Sequence, residues 1–439
     1  MMMRIHFIEL RVVMSYVCSS CINIESIRKE DVYSLEKKLC SYCNKNKIEV
    51  IDKDIVITLL KSRFVEAVVP FSECSEHEQG MYFFAHDDKL SPSEIFNMMD
   101  WLELGSEDFK NDLCCEIEKI LGSEDDLFVY NDGTLDEGNE YEAKWDAFIR
   151  SIHHKHRFFN NNAKTFLDSL FSLIHENGKI IDTMVFELNP NISIFRARIA
   201  NTVKERTEIY SNPASQLGAA PASLAGEQRM TPTGISAFYA SDSRETCFSE
   251  VRATTGDIVM SAEFRATNTL RLLDLSKLKK VSQMSVCPFD KDFLDKSHKS
   301  YFIQRLVFLL SKPASQRKNS IYLETQVIFE YFRTYFSENI HGIAFNSVQN
   351  GMEGMNVALF PEYSKVSLFS YSNKEIVSCE EHVNGEFDSY LYEIKTGIEN
   401  NFSIKKDECL RFIDGSVLLH HVIAVKTLTR KFEVDGYVE

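Results

Sequence analysis

Apolar positions change their period near residue 185 of this 439-residue chain. Before that point they recur at helix spacing. Ile55, Leu59 and Leu60 open a helical stretch over 51–120. Ser91-Pro92-Ser93-Glu94 has the form of a capping box with Pro at the first helical position, and Ile95, Met98, Met99 and Leu102 follow on one face. Phe166, Leu170, Leu173 and Ile174 draw a second stripe that stops at Gly178. Beyond 185 strict alternation takes over. Ile192 to Ile199, Ile235 to Ala240 and Ile258 to Phe264 read as strands, with a Gly- and Pro-rich crossing from Pro213 to Gly234. Helices first, then strands mixed with short helices, predict an α+β domain preceded by a helical region.

Charge and cysteine spacing sharpen this picture. From Glu124 to Glu142 there are eight acidic residues and no basic one, which predicts a solvated acidic loop over 122–142. The whole chain carries 49 basic against 65 acidic residues, a net charge of −16. That balance disfavours binding a nucleic-acid backbone over a broad surface, yet it leaves room for a small anion held by two or three arginines. Eleven cysteines, an odd number, do not suit a secreted disulfide framework. Four of them stand apart: Cys18 and Cys21 form one CxxC pair, and Cys40 and Cys43 form a second after eighteen residues. Two such knuckles supply the four thiolates of a structural zinc site; two pairs of buried, unligated cysteines are the alternative. The other seven, Cys247 among them, have no ligand spacing and read as small apolar residues. No run is long and apolar enough for a membrane helix, and Arg4, His6, Glu9 and Arg11 interrupt the apolar N-terminal stretch. A cytoplasmic protein is the expectation.

Four patches in the second half carry candidate chemistry. Arg196 and Arg198 project from one face of the first strand. Gln228-Arg229-Met230 leads through Thr231-Pro232-Thr233-Gly234 into a strand that contains Tyr239. Ser241-Asp242-Ser243-Arg244-Glu245 reads as a helix start capped by Asp242, with Cys247, Phe248 and Val251 on the apolar face. Glu250 then falls about 110° from the centre of that face, at the edge of the buried side. Thr325-Gln326 lies on a helix, followed by Gly342 to Ser347 and by Asn356 to Phe360. Singly, each has a structural alternative: a solvated strand face, a core aromatic, a surface carboxylate.

Together they resemble the RES domain, named for Arg, Glu and Ser, the toxin half of many bacterial toxin–antitoxin pairs. The resemblance runs through IFRARI at 194–199, QRMTPTGISAFYASDSRETCFSEVRATTGDIV at 228–259 and LLDL at 272–275. It continues in YLETQ at 322–326, HGIAFNS at 341–347 and MNVALF at 355–360. Two departures, Gln228 where the family often has Gly and Ala253 where it often has Pro, affect loop shape. The N-terminal part is similar to the HEPN-type extension of longer RES proteins. The organisation expected is a zinc knuckle over 1–50, a helical HEPN-like domain over 51–184, and a RES-like domain over 185–439 with core motifs at 194–360.

The resemblance implies a fold like that of ADP-ribosyltransferases and an enzyme that destroys NAD⁺ by cleaving its nicotinamide–ribose bond. The acceptor is water or inorganic phosphate. Carried over by position, the catalytic set is Arg196, Tyr239, Glu250 and Ser347, with Arg229, Gln326 and Asn356 binding substrate. An oxocarbenium-like transition state needs a carboxylate nearby, whereas the cationic nicotinamide leaves without a general acid. Forked guanidinium groups suit a pyrophosphate. An antitoxin partner and self-association remain open. Three other readings stay open as well. One is transfer of ADP-ribose to a macromolecule, and another is a HEPN-type ribonuclease using Arg150 and His156. The last is a non-catalytic sensor.

Overall fold

The computed structural model describes residues 15–28, 37–83, 91–122, 126–132, 140–278, 287–311, 322–347, 349, 353–367, 373–376, 379–383, 386–390, 394–397 and 408–426. The chain divides into two compact units, one formed by 1–144 with 282–302 and the other by 145–281 with 303–439.

In the first unit, β1 (Tyr16–Cys18), β2 (Lys37–Lys38) and β3 (Ile48–Asp52) form a small antiparallel sheet in the order β1-β3-β2. Helix α1 (Lys53–Ala67) follows directly, because the Asp52 side chain accepts hydrogen bonds from the backbone N–H groups of Asp54 and Ile55. Its buried face is Val56, Leu60, Phe64 and Ala67, whereas Ile55 is 60% exposed. The sequence-based choice of Ile55 therefore started the stripe one residue early. β4 (Val68–Pro70), α2 (Ile95–Asp100), α3 (Glu107–Leu121) and β5 (Phe128–Tyr130) also belong to the unit. The expected capping box at 91–94 does not form. Glu94 occupies the N-cap without a side-chain bond, and the Ser93 backbone is paired with Phe128 instead. Ile95, Met98 and Met99 are buried as their spacing predicts.

The acidic stretch is not loop throughout. Phe128 and Val129 are buried, and β5 pairs antiparallel with β4. Phe128 and Val129, inside a run of four apolar residues at 127–130, outweigh the flanking charge, since burying them removes hydrocarbon from water. Residues 123–125 and 133–139 of that stretch lie outside the described residues.

The second unit is built on a nine-stranded mixed sheet. Its strands are β6 (Val185–Leu188), β7 (Ser193–Ile199), β8 (Phe238–Ser241), β9 (Ile258–Ala266), β10 (Leu270–Asp274), β11 (Gly342–Asn346), β12 (Met355–Leu359), β13 (Leu410–Phe412) and β14 (Leu418–His421). Their order is β13-β9-β7-β8-β12-β11-β10-β6, with β14 also paired to β9. The β10–β11 pair is parallel and the rest are antiparallel. Helices α4 (Arg244–Glu250) and α5 (Leu323–Phe336) belong to this unit. The observed architecture is therefore α+β with a large mixed sheet.

Alternation in β7, β8 and β9 follows the pleat. Ile194, Phe238, Ala240, Met260, Ala262 and Phe264 enter one continuous core with Leu272, Ala344, Val357 and Leu359. Phe264 meets Phe238 edge-on at 5.1 Å between ring centroids and Phe412 at 6.0 Å, which ties β13 into that core. β8 starts at Phe238 rather than Ile235, because Ile235 N–H closes a turn on the Pro232 carbonyl and Ser236 Oγ donates to the Ala220 carbonyl. The α4 cap is Ser243, whose Oγ accepts from Thr246 N–H, and not Asp242. Asp242 instead accepts from Met355 N–H at 2.9 Å and so fastens β12 beside the helix start.

In the centre of the sheet, a Cβ added to Gly342 would lie 2.4 Å from the Ala358 carbonyl oxygen and 2.8 Å from Leu359 Cα. Gly342→Ala should therefore cost about 2 kcal/mol through forced separation of β11 and β12. A urea titration showing an unchanged midpoint would contradict this close approach.

Candidate active site and cysteine centre

One cleft of about 400 Å³ opens at the sheet where β7, β8 and β12 meet α4. β7 contributes Phe195, Arg196 and Ala197; β8 contributes Tyr239, Ala240 and Ser241; α4 and the residues after it contribute Cys247, Glu250, Val251 and Arg252. Arg229, Asn356 and Tyr322 also stand in its wall.

Glu250 owes its place to two hydrogen-bond donors, one of them oriented by a third residue. Ser347 Oγ donates to its Oε1 at 2.6 Å, and Asn356 Nδ2 donates to the same oxygen at 2.7 Å. Asn356 is itself oriented by Ser241, whose Oγ donates to Asn356 Oδ1 at 2.6 Å. Oε2 has no hydrogen-bond partner among the described residues, so one carboxylate oxygen is held and the other is left for a ligand. Ser347 is completely buried and stands behind Glu250 rather than in the wall of the cleft. Gly354 makes this arrangement possible. At φ +79° its carbonyl accepts from Ser347 N–H, and a Cβ there would meet Thr246 Oγ1 on α4 at 2.3 Å.

Arg196 presents the strongest electrostatic feature. Solvent reaches part of the residue, but Nη1 is sealed and has no hydrogen-bond partner. Burial pushes the guanidinium down to about 10, which still leaves it charged at neutral pH. It lies over the Phe238 ring at 5.3 Å from the centroid. A desolvated cation–π contact returns about 2 kcal/mol, less than the several kcal/mol that burying an unpaired ion costs.

The Arg229 loop is held from three sides. Met230 N–H donates to Tyr239 Oη at 2.9 Å, Gln326 Nε2 donates to the Gln228 carbonyl at 3.0 Å, and Thr325 Oγ1 donates to the Arg229 carbonyl. Tyr239 thus anchors the loop through its hydroxyl while its ring forms cleft wall. Burial pushes that phenol up to about 12. Gln326 is buried and serves the loop rather than the cleft surface. Arg244, at the start of α4, braces the helix from below. Its Nη1 donates to Ser261 Oγ and its Nη2 to the Ser416 carbonyl at 2.8 Å, with Phe195 under its guanidinium.

The structure thus brings Arg196, Arg229, Tyr239, Glu250 and Asn356 to one cleft, with Ser347 and Gln326 supporting it. Sequence reading missed Cys247 and Arg252. Cys247 is buried at the cleft wall, donates to the Phe195 carbonyl at 3.0 Å, and has its thiol pushed up to about 11 by burial. Nothing in its spacing distinguished it from a core cysteine. Arg150 and His156 are both exposed, and it is His153 whose Nε2 lies within hydrogen-bond distance of Glu324, at 2.8 Å.

The four CxxC thiols converge in the first unit, with their Sγ atoms within 4.8 Å of one another. Cys18–Cys43 and Cys21–Cys40 sulfur separations are 3.7 and 3.8 Å, and none is in a disulfide. Thiolates bound at about 2.3 Å around a tetrahedral metal would stand about 3.8 Å apart, so the cluster fits such an ion.

An α+β domain with a carboxylate and unpaired arginines in one cleft is the class of site that takes a small anionic substrate. The RES domain family matches residues 197–372, beginning one residue after Arg196, and HEPN/RES N-terminal domain 1 matches 33–166. The chain belongs to the RES-domain proteins that carry this N-terminal extension. Membership supports an enzymatic role of the NAD⁺-related, toxin type. No curated protein and no solved structure matches the chain. Among the described residues no helix is long and apolar enough to cross a membrane.

If the cysteine cluster holds a metal, purified protein should contain it by elemental analysis. Cys40→Ser should then remove it and lower the unfolding midpoint by about 5 °C or more. Metal-free protein with an unaltered melt in the variant would exclude the site.

Proposed function

We propose that the cleft binds NAD⁺ and cleaves its nicotinamide–ribose bond, with water or phosphate as acceptor. The observation that carries this reading is that Arg196, a desolvated guanidinium with no ion-pair partner among the described residues, lines the same cleft as Glu250. A buried guanidinium without a counter-ion is stabilised when an anion arrives, and the pyrophosphate of NAD⁺ offers two. Arg229 supplies a second guanidinium from its clamped loop.

Glu250 is an exposed residue, and its Oε1 accepts from Ser347 and Asn356, which orients the carboxylate. Its free Oε2 faces the developing positive charge of the ribose or receives a proton from attacking water. As the C–N bond breaks, its electron pair neutralises the pyridinium nitrogen, and water oxygen bonds the anomeric carbon. Tyr239 offers a ring face for nicotinamide. Ser347 acts through Glu250, and Gln326 through the Arg229 loop. The RES-like part is read as an ADP-ribosyltransferase-like domain, preceded by a helical HEPN-like domain and a knuckle whose metal is zinc, the ion that favours four thiolates. A toxin-type role in the cytoplasm is part of that reading, and co-purification of the tagged chain tests for an antitoxin partner.

Glu250→Gln should fold, by circular dichroism and thermal melt, and lose at least about a hundredfold in NAD⁺ turnover. Arg196→Ala should lose comparable activity, mainly by raising KM. Nicotinamide and free ADP-ribose followed by mass spectrometry report hydrolysis, whereas label from NAD⁺ appearing on protein or nucleic acid reports transfer instead. Wild-type protein that leaves NAD⁺ intact, or variants that match it, would end the assignment.

A further inference from the structure

Arg252 sits in a backbone conformation that arginine rarely adopts. α4 ends in a tight cap: Glu250 is the last helical residue and Val251 the C-cap, Arg252 N–H donates to the Ser249 carbonyl at 3.1 Å, and Ala253 N–H donates to the Phe248 carbonyl at 3.2 Å. This double closure requires the left-handed region at Arg252, where φ is +54°. Glycine is the usual occupant of that position because it has no Cβ to strain. Here the place is held by a long cation. Non-glycine residues adopt positive φ at six other described positions, so a purpose for this one has to come from its surroundings.

Where the side chain stands supplies that purpose. Arg252 lines the same cleft as Arg196 and Arg229. Its guanidinium has neither a hydrogen bond nor an ion pair among the described residues, although the chain carries 65 acidic residues against 49 basic ones. Two of the three cleft arginines match the two phosphates of a dinucleotide. The third stands two residues beyond Glu250, on the side of the cleft built by α4.

Resting on the NAD⁺ reading above, we propose that Arg252 forms a separate subsite for a phosphate dianion beside Glu250. Such a group has two sources: free inorganic phosphate as the acceptor, or the 2′-phosphate of NADP⁺. With free phosphate the step balances without added protons. An oxygen of HPO₄²⁻ bonds the anomeric ribose carbon, the C–N bond breaks, and its electron pair stays on nicotinamide. The products are nicotinamide and ADP-ribose 1″-phosphate.

Arg252→Gly tests this, because glycine removes the cation and relieves the left-handed strain together. The variant should melt about 2 °C or more above the parent. Phosphate binding, titrated calorimetrically on the full chain without nucleotide, should weaken at least tenfold, while Arg252→Lys keeps part of it. This binding readout is independent of NAD⁺ turnover, so it distinguishes failure of the subsite from failure of the proposed reaction. Turnover then separates the sources. Loss of phosphate stimulation with NAD⁺ assigns free phosphate, and loss of preference for NADP⁺ assigns the 2′-phosphate. Phosphate binding, phosphate stimulation and nucleotide preference all the same in Arg252→Gly as in the parent would overturn the proposal.

Discussion

Antiparallel pairing of β8 with β12 sets Ser241 opposite Asn356 and Tyr239 opposite Ala358. Side chains on a strand alternate between faces, so a slip of β12 by one residue would turn Asn356 away from Ser241 and from the cleft. With the register in place, Ser241 donates to the amide oxygen of Asn356 and thereby dictates which end of the amide meets Glu250. The carboxylate orientation is thus a consequence of strand pairing, transmitted through two hydrogen bonds. Ser347 arrives from the end of the neighbouring strand β11 and closes the arrangement.

Charge is organised in the opposite sense locally and globally. The chain as a whole is strongly acidic, which repels polyanions at long range. At the cleft three arginines converge with no carboxylate paired to any of them among the described residues. Low dielectric around Arg196 makes its unsatisfied charge expensive and makes an entering anion correspondingly favourable. Positive charge is thereby confined to a pocket while the rest of the chain is acidic.

The first unit relies on a different device. Its sheet is small, and Cys18, Cys21 and Cys40 are part of the same buried cluster as Phe64, Met99 and Phe109. Four thiols brought together in that core give a metal-sized site at the edge of an otherwise apolar packing arrangement. The knuckle strands β1, β2 and β3 are short, so an ion held by the four thiols would tie them to the helices that share this cluster.

Local pattern in the sequence determined much of this. Period-two alternation located β7 and β9, the helical stripe found α2, and CxxC spacing marked the thiols that converge. The order of motifs identified the residues now sharing a cleft. These features are local, or depend on residue type at a fixed spacing, and so are legible in one dimension. Strand order, the exposed side of Ile55, the Ser243 cap and the strand within the acidic stretch were decided by packing and backbone pairing between distant segments. The same holds for Ser347 standing behind Glu250 and for Cys247 at the cleft wall. Arg252 belongs there most clearly: only the closure of α4 against its own last carbonyls forces its left-handed backbone, and only the sheet beside it makes that position part of a cleft.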